Sequence, residues 1–149
     1  MIHLQTVNED LLKVARKLCE IPELKEFRIV GGTAVALYFG HRISVDIDFF
    51  MGEKVNKKQT AALLMDKFPG SEAYVMQYGV RSEIRGIKVE LFDDWSTKFH
   101  DDAILEDGLR LASPMDLAAL KLDAIIERRE RRIISTSIFC SSLLALMRY

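Results

Sequence analysis

The sequence predicts an α+β domain, a small mixed β-sheet with flanking helices, and three observations carry that expectation. Apolar residues recur at helical spacing in some stretches and form short strand-like runs in others. Glycine, proline and asparagine punctuate the boundaries. The chain has 149 residues, 49% hydrophobic and 29% charged, which suits one ordered domain over residues 1–149 rather than a disordered segment.

Residues 6–20 read as an amphipathic helix. Val7, Leu11, Val14, Ala15 and Leu18 repeat at helical intervals, and Thr6 and Glu9 have the spacing of a capping box. Pro22 ends it. Residues 27–30 form a short buried strand broken by Gly31-Gly32, and residues 33–39 form a helix closed by Gly40. Residues 44–50 alternate as a strand, with Val45, Ile47 and Phe49 on one face and Asp46, Asp48 and Phe50 on the other. A helix over 56–68 has Asn56 as its cap, Gln59 as the third-position partner, and Pro69-Gly70 beyond its end. Strands follow at 72–77, 80–84 and 87–92, with a turn at Arg85-Gly86 and Lys88, Glu90 and Phe92 sharing a face. Ser113, Pro114 and Asp116 mark the start of a last helix through DLAALKLDAIIERRERR.

Composition narrows the function. A net charge of −1 supplies no global attraction to nucleic acid or membrane. No apolar run is long enough to span a bilayer, and the opening MIHLQTVNEDLL lacks a signal-peptide pattern, so a cytoplasmic protein without a membrane partner is expected. Cys19 and Cys140 stand far apart, and His3, His41 and His100 are scattered, which argues against thiolate or imidazole metal chemistry.

The stretch IVGGTAVALYFGHRISVDIDFF, residues 29–50, points to a different chemistry. Glycines after a strand let backbone N–H groups approach a phosphate, and the N-terminus of the next helix adds partial positive charge. Carboxylates two apart on a strand share a face and suit hard cations such as Mg²⁺. Glu90, in the strand IKVEL, offers a third acid if its strand lies alongside, and three convergent acids suit a two-metal site. Taken singly, the glycine pair reads as a turn and the two aspartates as a solvated face; their order and spacing carry the specific reading.

Val30-Gly31-Gly32, thirteen intervening residues, and Asp46-Ile47-Asp48-Phe49 resemble the signature of the DNA polymerase β-like nucleotidyltransferase superfamily. With GIKVELF and SPMDLAALKLDAIIERRERR, the chain from about residue 27 to 132 is similar to the AbiEii/AbiGii toxin group. The resemblance implies a nucleotidyltransferase-like fold. It also implies transfer of a nucleoside monophosphate from an NTP to an acceptor hydroxyl, on RNA such as a tRNA 3′ end, by a toxin paired with an antitoxin protein. Asp46, Asp48 and Glu90 would be catalytic and hold Mg²⁺ or Mn²⁺, although aspartate is more usual in the family at the position of Glu90. Gly31, Gly32 and Thr33 would hold the triphosphate, and Lys121 would reach phosphate from the last helix. Arg42 and Ser44 are further nucleotide-binding candidates; the plain alternatives are a surface ion pair for Arg42 and a loop-fixing hydrogen bond for Ser44. Arg128, Arg129, Arg131 and Arg132 are candidates for RNA phosphates, or simply a solvated helix face.

After Arg132 the resemblance stops, and the C-terminal helix is truncated or altered. The family continues with a basic residue, an aspartate and a second acid three positions on, followed by aromatic and aliphatic residues; this chain has IISTSIFCSSLLALMRY. Residues 133–142 can be encoded att ata tcg aca tct att ttt tgc tct tct. Sharing a g with the preceding arginine codon and read one base earlier, these bases give gat tat atc gac atc tat ttt ttg ctc ttc. That frame spells Asp-Tyr-Ile-Asp-Ile-Tyr-Phe-Leu-Leu-Phe and restores the acids, so a frameshift is expected. The alternative is a genuine short C-terminus in which Ile138, Phe139, Leu143 and Leu144 pack as a helix. Two other functions stand beside the RNA-directed transferase: a catalytically degenerate nucleotide-binding or interaction module, and a small-molecule transferase of the antibiotic-modifying type.

Overall fold

Asn8, rather than Thr6, starts the first helix. Its side chain accepts a hydrogen bond from Leu11 N at 2.7 Å, and Glu9 and Asp10 occupy the first turn, where the helix dipole favours acids. Thr6 is instead buried in a 3-10 turn, Leu4–Thr6, and donates its hydroxyl to His3 O at 2.7 Å. The helix, α1, therefore spans Glu9–Glu20. A second 3-10 turn, Pro22–Leu24, follows it and leads into β1, Arg28–Val30.

The computed structural model describes residues 1–93 and 97–129, with side chains to 126. After β1 come α2 (Gly31–Phe39), β2 (Ile47–Met51), α3 (Lys57–Lys67), β3 (Glu72–Met76), β4 (Gly79–Ile84), β5 (Ile87–Asp93), β6 (Ile104–Glu106), β7 (Leu109–Leu111) and α4 (Pro114–Arg129). The strands form one mixed seven-stranded sheet in the order β3-β4-β5-β2-β1-β7-β6. The pairings β2–β5 and β1–β7 are parallel, and the others are antiparallel. The expectation of a mixed sheet with flanking helices holds, and the hairpin β6–β7 extends it beyond the strands expected. Asp107-Gly108, both at positive φ, makes the two-residue turn of that hairpin.

Phe27, Ile29, Leu37, Ile47, Phe49, Leu64, Leu91 and Leu111 lie at the centre of the core, each 2% exposed or less. Strand β2 starts at Ile47, three residues later than its alternation suggests, because Val45 is 63% exposed and the segment before Ile47 is held by side-chain hydrogen bonds instead of a ladder. Its far half is covered on both faces. Phe50, on the face of Asp48, is buried edge-on against Phe99 with ring centroids 5.5 Å apart. Asn56 caps α3 by accepting from Gln59 N at 3.1 Å, and Ser113 caps α4 by accepting from Asp116 N at 3.0 Å. The expected acids and helix of a restored frame, and the alternative packing of residues 133–149, lie outside the described residues, as do Arg131 and Arg132 and the side chains of Arg128 and Arg129.

Candidate active site

Strand register builds the site. Val30 pairs with Asp48, Asp48 with Glu90, and Glu90 with Arg81, so one row crosses β1, β2, β5 and β4 on a single face. Gly31 follows Val30 at the β1 end of the row. Its φ is +66°, and a Cβ there would sit 2.6 Å from Asp48 Oδ2. Only glycine leaves that carboxylate oxygen open and keeps the backbone unstrained.

Helix α2 begins in this turn with no side-chain cap and no acid in its first turn. With Gly31 against Asp48, this uncapped N-terminus and the positive end of its dipole lie beside the acid row. Arg42 reaches back over the turn, and a Cβ on Gly32 would meet its Nη2 at 1.9 Å. Thr33 and Ser44 point inward. Their hydroxyls lie 2.7 Å apart, and Thr33 Oγ1 also donates to the backbone oxygen of Asp46. With Thr33 donating there, the Ser44 hydroxyl donates to Thr33. These two buried hydroxyls fasten the segment before β2 to the first turn of α2 and so position Asp46.

The three acids differ in surroundings. Asp48 is partly buried between its neighbours, and its carboxyl is pushed up to about 6, first by burial and then by the negative charge of Glu90. Asp46 pairs with Lys88, Nζ to Oδ2 at 3.2 Å, and that partner raises the lysine's pKa. Glu90, 8% exposed, accepts two bonds from Arg81 on one oxygen, from Nε at 2.6 Å and Nη2 at 2.5 Å. Among the described residues no three acid, histidine or cysteine side chains are gathered tightly enough to cage an ion. Two of the acids are instead engaged by cations, Asp46 by Lys88 and Glu90 by Arg81. As a donor set, carboxylate oxygens beside an open glycine turn still fit a hard divalent cation.

Lys121 is exposed on α4, which packs against α2, and it takes no part in the bonds of the acid row. Arg81 and Lys88 were not anticipated as site residues, although the signals were present. Lys88 lies two residues before Glu90 on the same strand face. The two-residue turn at Arg85-Gly86, with φ of 52° and 76°, sets β4 against β5 so that Arg81 falls opposite Glu90.

Among solved structures, the chain is similar to ANT(2")-Ia in complex with adenylyl-2"-tobramycin, at 15% identity and a TM-score of 0.58, over 91% of this chain and 90% of that one. It is similar to a tRNA-processing enzyme in an apo form, at 21% identity and TM-score 0.52, over 76% of this chain and 35% of the enzyme. It is also similar to JHP933 from Helicobacter pylori, at 20% identity and TM-score 0.50, over 82% of this chain and 58% of that one. The chain thus spans about a third of the tRNA-processing enzyme and somewhat over half of JHP933. No curated protein sequence matches it. Among the described residues no helix is long and apolar enough to cross a membrane. The family model described as nucleotidyl transferase AbiEii toxin, type IV TA system, matches residues 14–134, a span holding the glycine turn, all three acids and α4, and the chain belongs to that family of nucleotidyltransferases.

Proposed function

We propose that the chain transfers a nucleoside monophosphate from an NTP to an RNA hydroxyl, with tRNA the first acceptor to try, as the toxin of a pair held in check by an antitoxin protein. In this reading residues 1–149 act as one domain in the cytoplasm. The observation that carries it is the row Val30–Asp48–Glu90 with Gly31 against Asp48, which sets an uncapped helix N-terminus beside two acids, with Asp46 close by on the approach to β2.

The N–H groups of Gly31, Gly32 and Thr33 receive the β- and γ-phosphates, and Arg42, already over Gly32, adds a guanidinium to them. Lys121 contributes a further positive charge from α4. Asp46, Asp48 and Glu90 would hold Mg²⁺ or Mn²⁺, which when bound would supply charge stabilisation to the triphosphate and acidify the acceptor hydroxyl. One of these acids accepts the proton of that hydroxyl. The hydroxyl oxygen then bonds to the α-phosphorus, and the bond from that phosphorus to the β-bridging oxygen breaks, releasing pyrophosphate.

A second reading is favoured by the two-way coverage of ANT(2")-Ia, solved in complex with adenylyl-2"-tobramycin: transfer to a small-molecule hydroxyl by the acids of this chain. A third is a module that binds nucleotide without turning it over. One assay separates them. The protein is incubated with each α-labelled NTP, Mg²⁺, and either bulk tRNA or tobramycin, beside Asp48→Asn. Label on tRNA that disappears in the variant supports the proposal. Label on tobramycin alone moves the acceptor to the small molecule, and NTP binding without label on either acceptor leaves the binding module.

A further inference from the structure

The two cations at the site are held in different ways. Arg81 sets two donors on one oxygen of a Glu90 side chain that is only 11% exposed. Lys88 makes a single contact with Asp46 Oδ2 at 3.2 Å, and both side chains are nearly half exposed. The Arg81 side chain is itself 52% exposed, and what fixes its planar guanidinium is the pair of bonds to a mostly buried carboxylate. A lone ammonium on a flexible stem, facing water, is exchangeable, and an exposed pair of that kind adds little to stability.

Placement adds to the contrast. Lys88 projects from the same face of β5 as Glu90, and its charge is felt by Asp46, Asp48 and Glu90 together. Its ammonium, 3.2 Å from Asp46 Oδ2, therefore lies on the acid face, where the nucleotidyl-transfer reading places a divalent cation.

We propose that Lys88 is an exchangeable counter-ion of the site: it neutralises Asp46 in the metal-free chain, releases it on divalent-cation binding, and then carries its charge to the NTP phosphates. This rests on the nucleotidyl-transfer reading above. The exchange follows from charge: a divalent ion among hard oxygen donors out-competes a single hydrated ammonium for them. The freed ammonium stays near the site because its strand is in the middle of the sheet, and the incoming triphosphate is the nearest unneutralised negative charge. Arg81 stays on Glu90 and keeps that carboxylate beside Asp48.

The test measures Mn²⁺ alone by electron paramagnetic resonance on the full chain, and then each of the four NTPs in the presence of Mn²⁺. The proteins are wild type, Lys88→Met, Lys88→Arg and Asp48→Asn. Lys88→Met is expected to bind Mn²⁺ about three- to tenfold more tightly, because a competing charge is gone, and its preferred NTP about tenfold more weakly. Lys88→Arg is expected to recover NTP affinity to within about threefold of wild type. A lysine with a merely structural role would weaken both affinities together. Unchanged or weaker Mn²⁺ binding by Lys88→Met, or unchanged NTP binding, overturns the exchange while leaving the reading of the site intact. Wild type that binds no Mn²⁺, or Asp48→Asn that binds it equally well, removes that reading and the exchange with it.

Discussion

Gly31 and Gly32 are adjacent, yet the structure asks different things of them. Gly31 needs its positive φ and the space in front of Asp48. Gly31→Ala should therefore lower the melting temperature and cut nucleotidyl transfer by roughly a hundredfold, since strain and a displaced carboxylate act together. At Gly32 an added Cβ meets only the end of the Arg42 side chain, which can swing away. Gly32→Ala should stay within about 0.5 kcal/mol of wild-type stability while weakening NTP binding, as read by calorimetry. Asp48 supplies a pH prediction. Its folded pKa of about 6 lies above the ordinary 3.8, so between those values the folded state binds more protons than the unfolded one. Stability of the metal-free protein should fall as pH rises from about 4 to about 6 and stay level above. Urea melts of wild type and Asp48→Asn across that range check it, because the variant should lack this part of the slope.

At the level of elements, cap chemistry and hairpin register decide most of what happens. Thr6 and Glu9 have capping-box spacing, but Asn8 wins because its side chain reaches Leu11 N while Thr6 is turned into the preceding 3-10 turn. Asn8→Ala should cost about 1 kcal/mol in a denaturant melt. The hairpin β4–β5 sets Arg81 against Glu90. Arg81→Met should destabilise the fold by about 1 kcal/mol at pH 7, since it removes two charged donors from a mostly buried carboxylate while water can reach the half-exposed arginine position. Arg81→Met combined with Glu90→Gln should recover part of that loss. The turn Asp107-Gly108 was as readable as Arg85-Gly86, and the hairpin it joins escaped notice because each of its strands has only three residues.

Across the whole molecule, Arg110 fastens β7 to the first third of the chain. Its guanidinium donates to Phe27 O at 2.7 Å, Leu24 O at 2.7 Å and Cys19 O at 3.1 Å, which joins the C-terminal end of α1 and the segment before β1 to the sheet. Arg110→Met should lower stability by roughly 3 kcal/mol, because three carbonyls lose a charged donor at once. The tail raises a question at the same scale. The proposed frameshift after Arg132 is checked by reading the coding DNA: a one-base shift should open the frame that begins Asp-Tyr-Ile-Asp. If no single-base shift opens it, the idea is discarded.

Local chemistry was legible in the sequence by itself. It contained the glycine turn, the spacing of Asp46 and Asp48, the caps at Asn56 and Ser113, and the α+β class, because each depends on neighbours a few residues apart. Only the tertiary structure decided that Glu90 lies beside Asp48, that Thr33 and Ser44 point inward, and that Arg42 covers Gly32. It also decided that two of the acids carry Arg81 and Lys88 as partners. Those facts depend on which strands pair and in what register. Pairing is settled by the burial of the entire sheet and by chain distant in sequence, so no local spacing contains it.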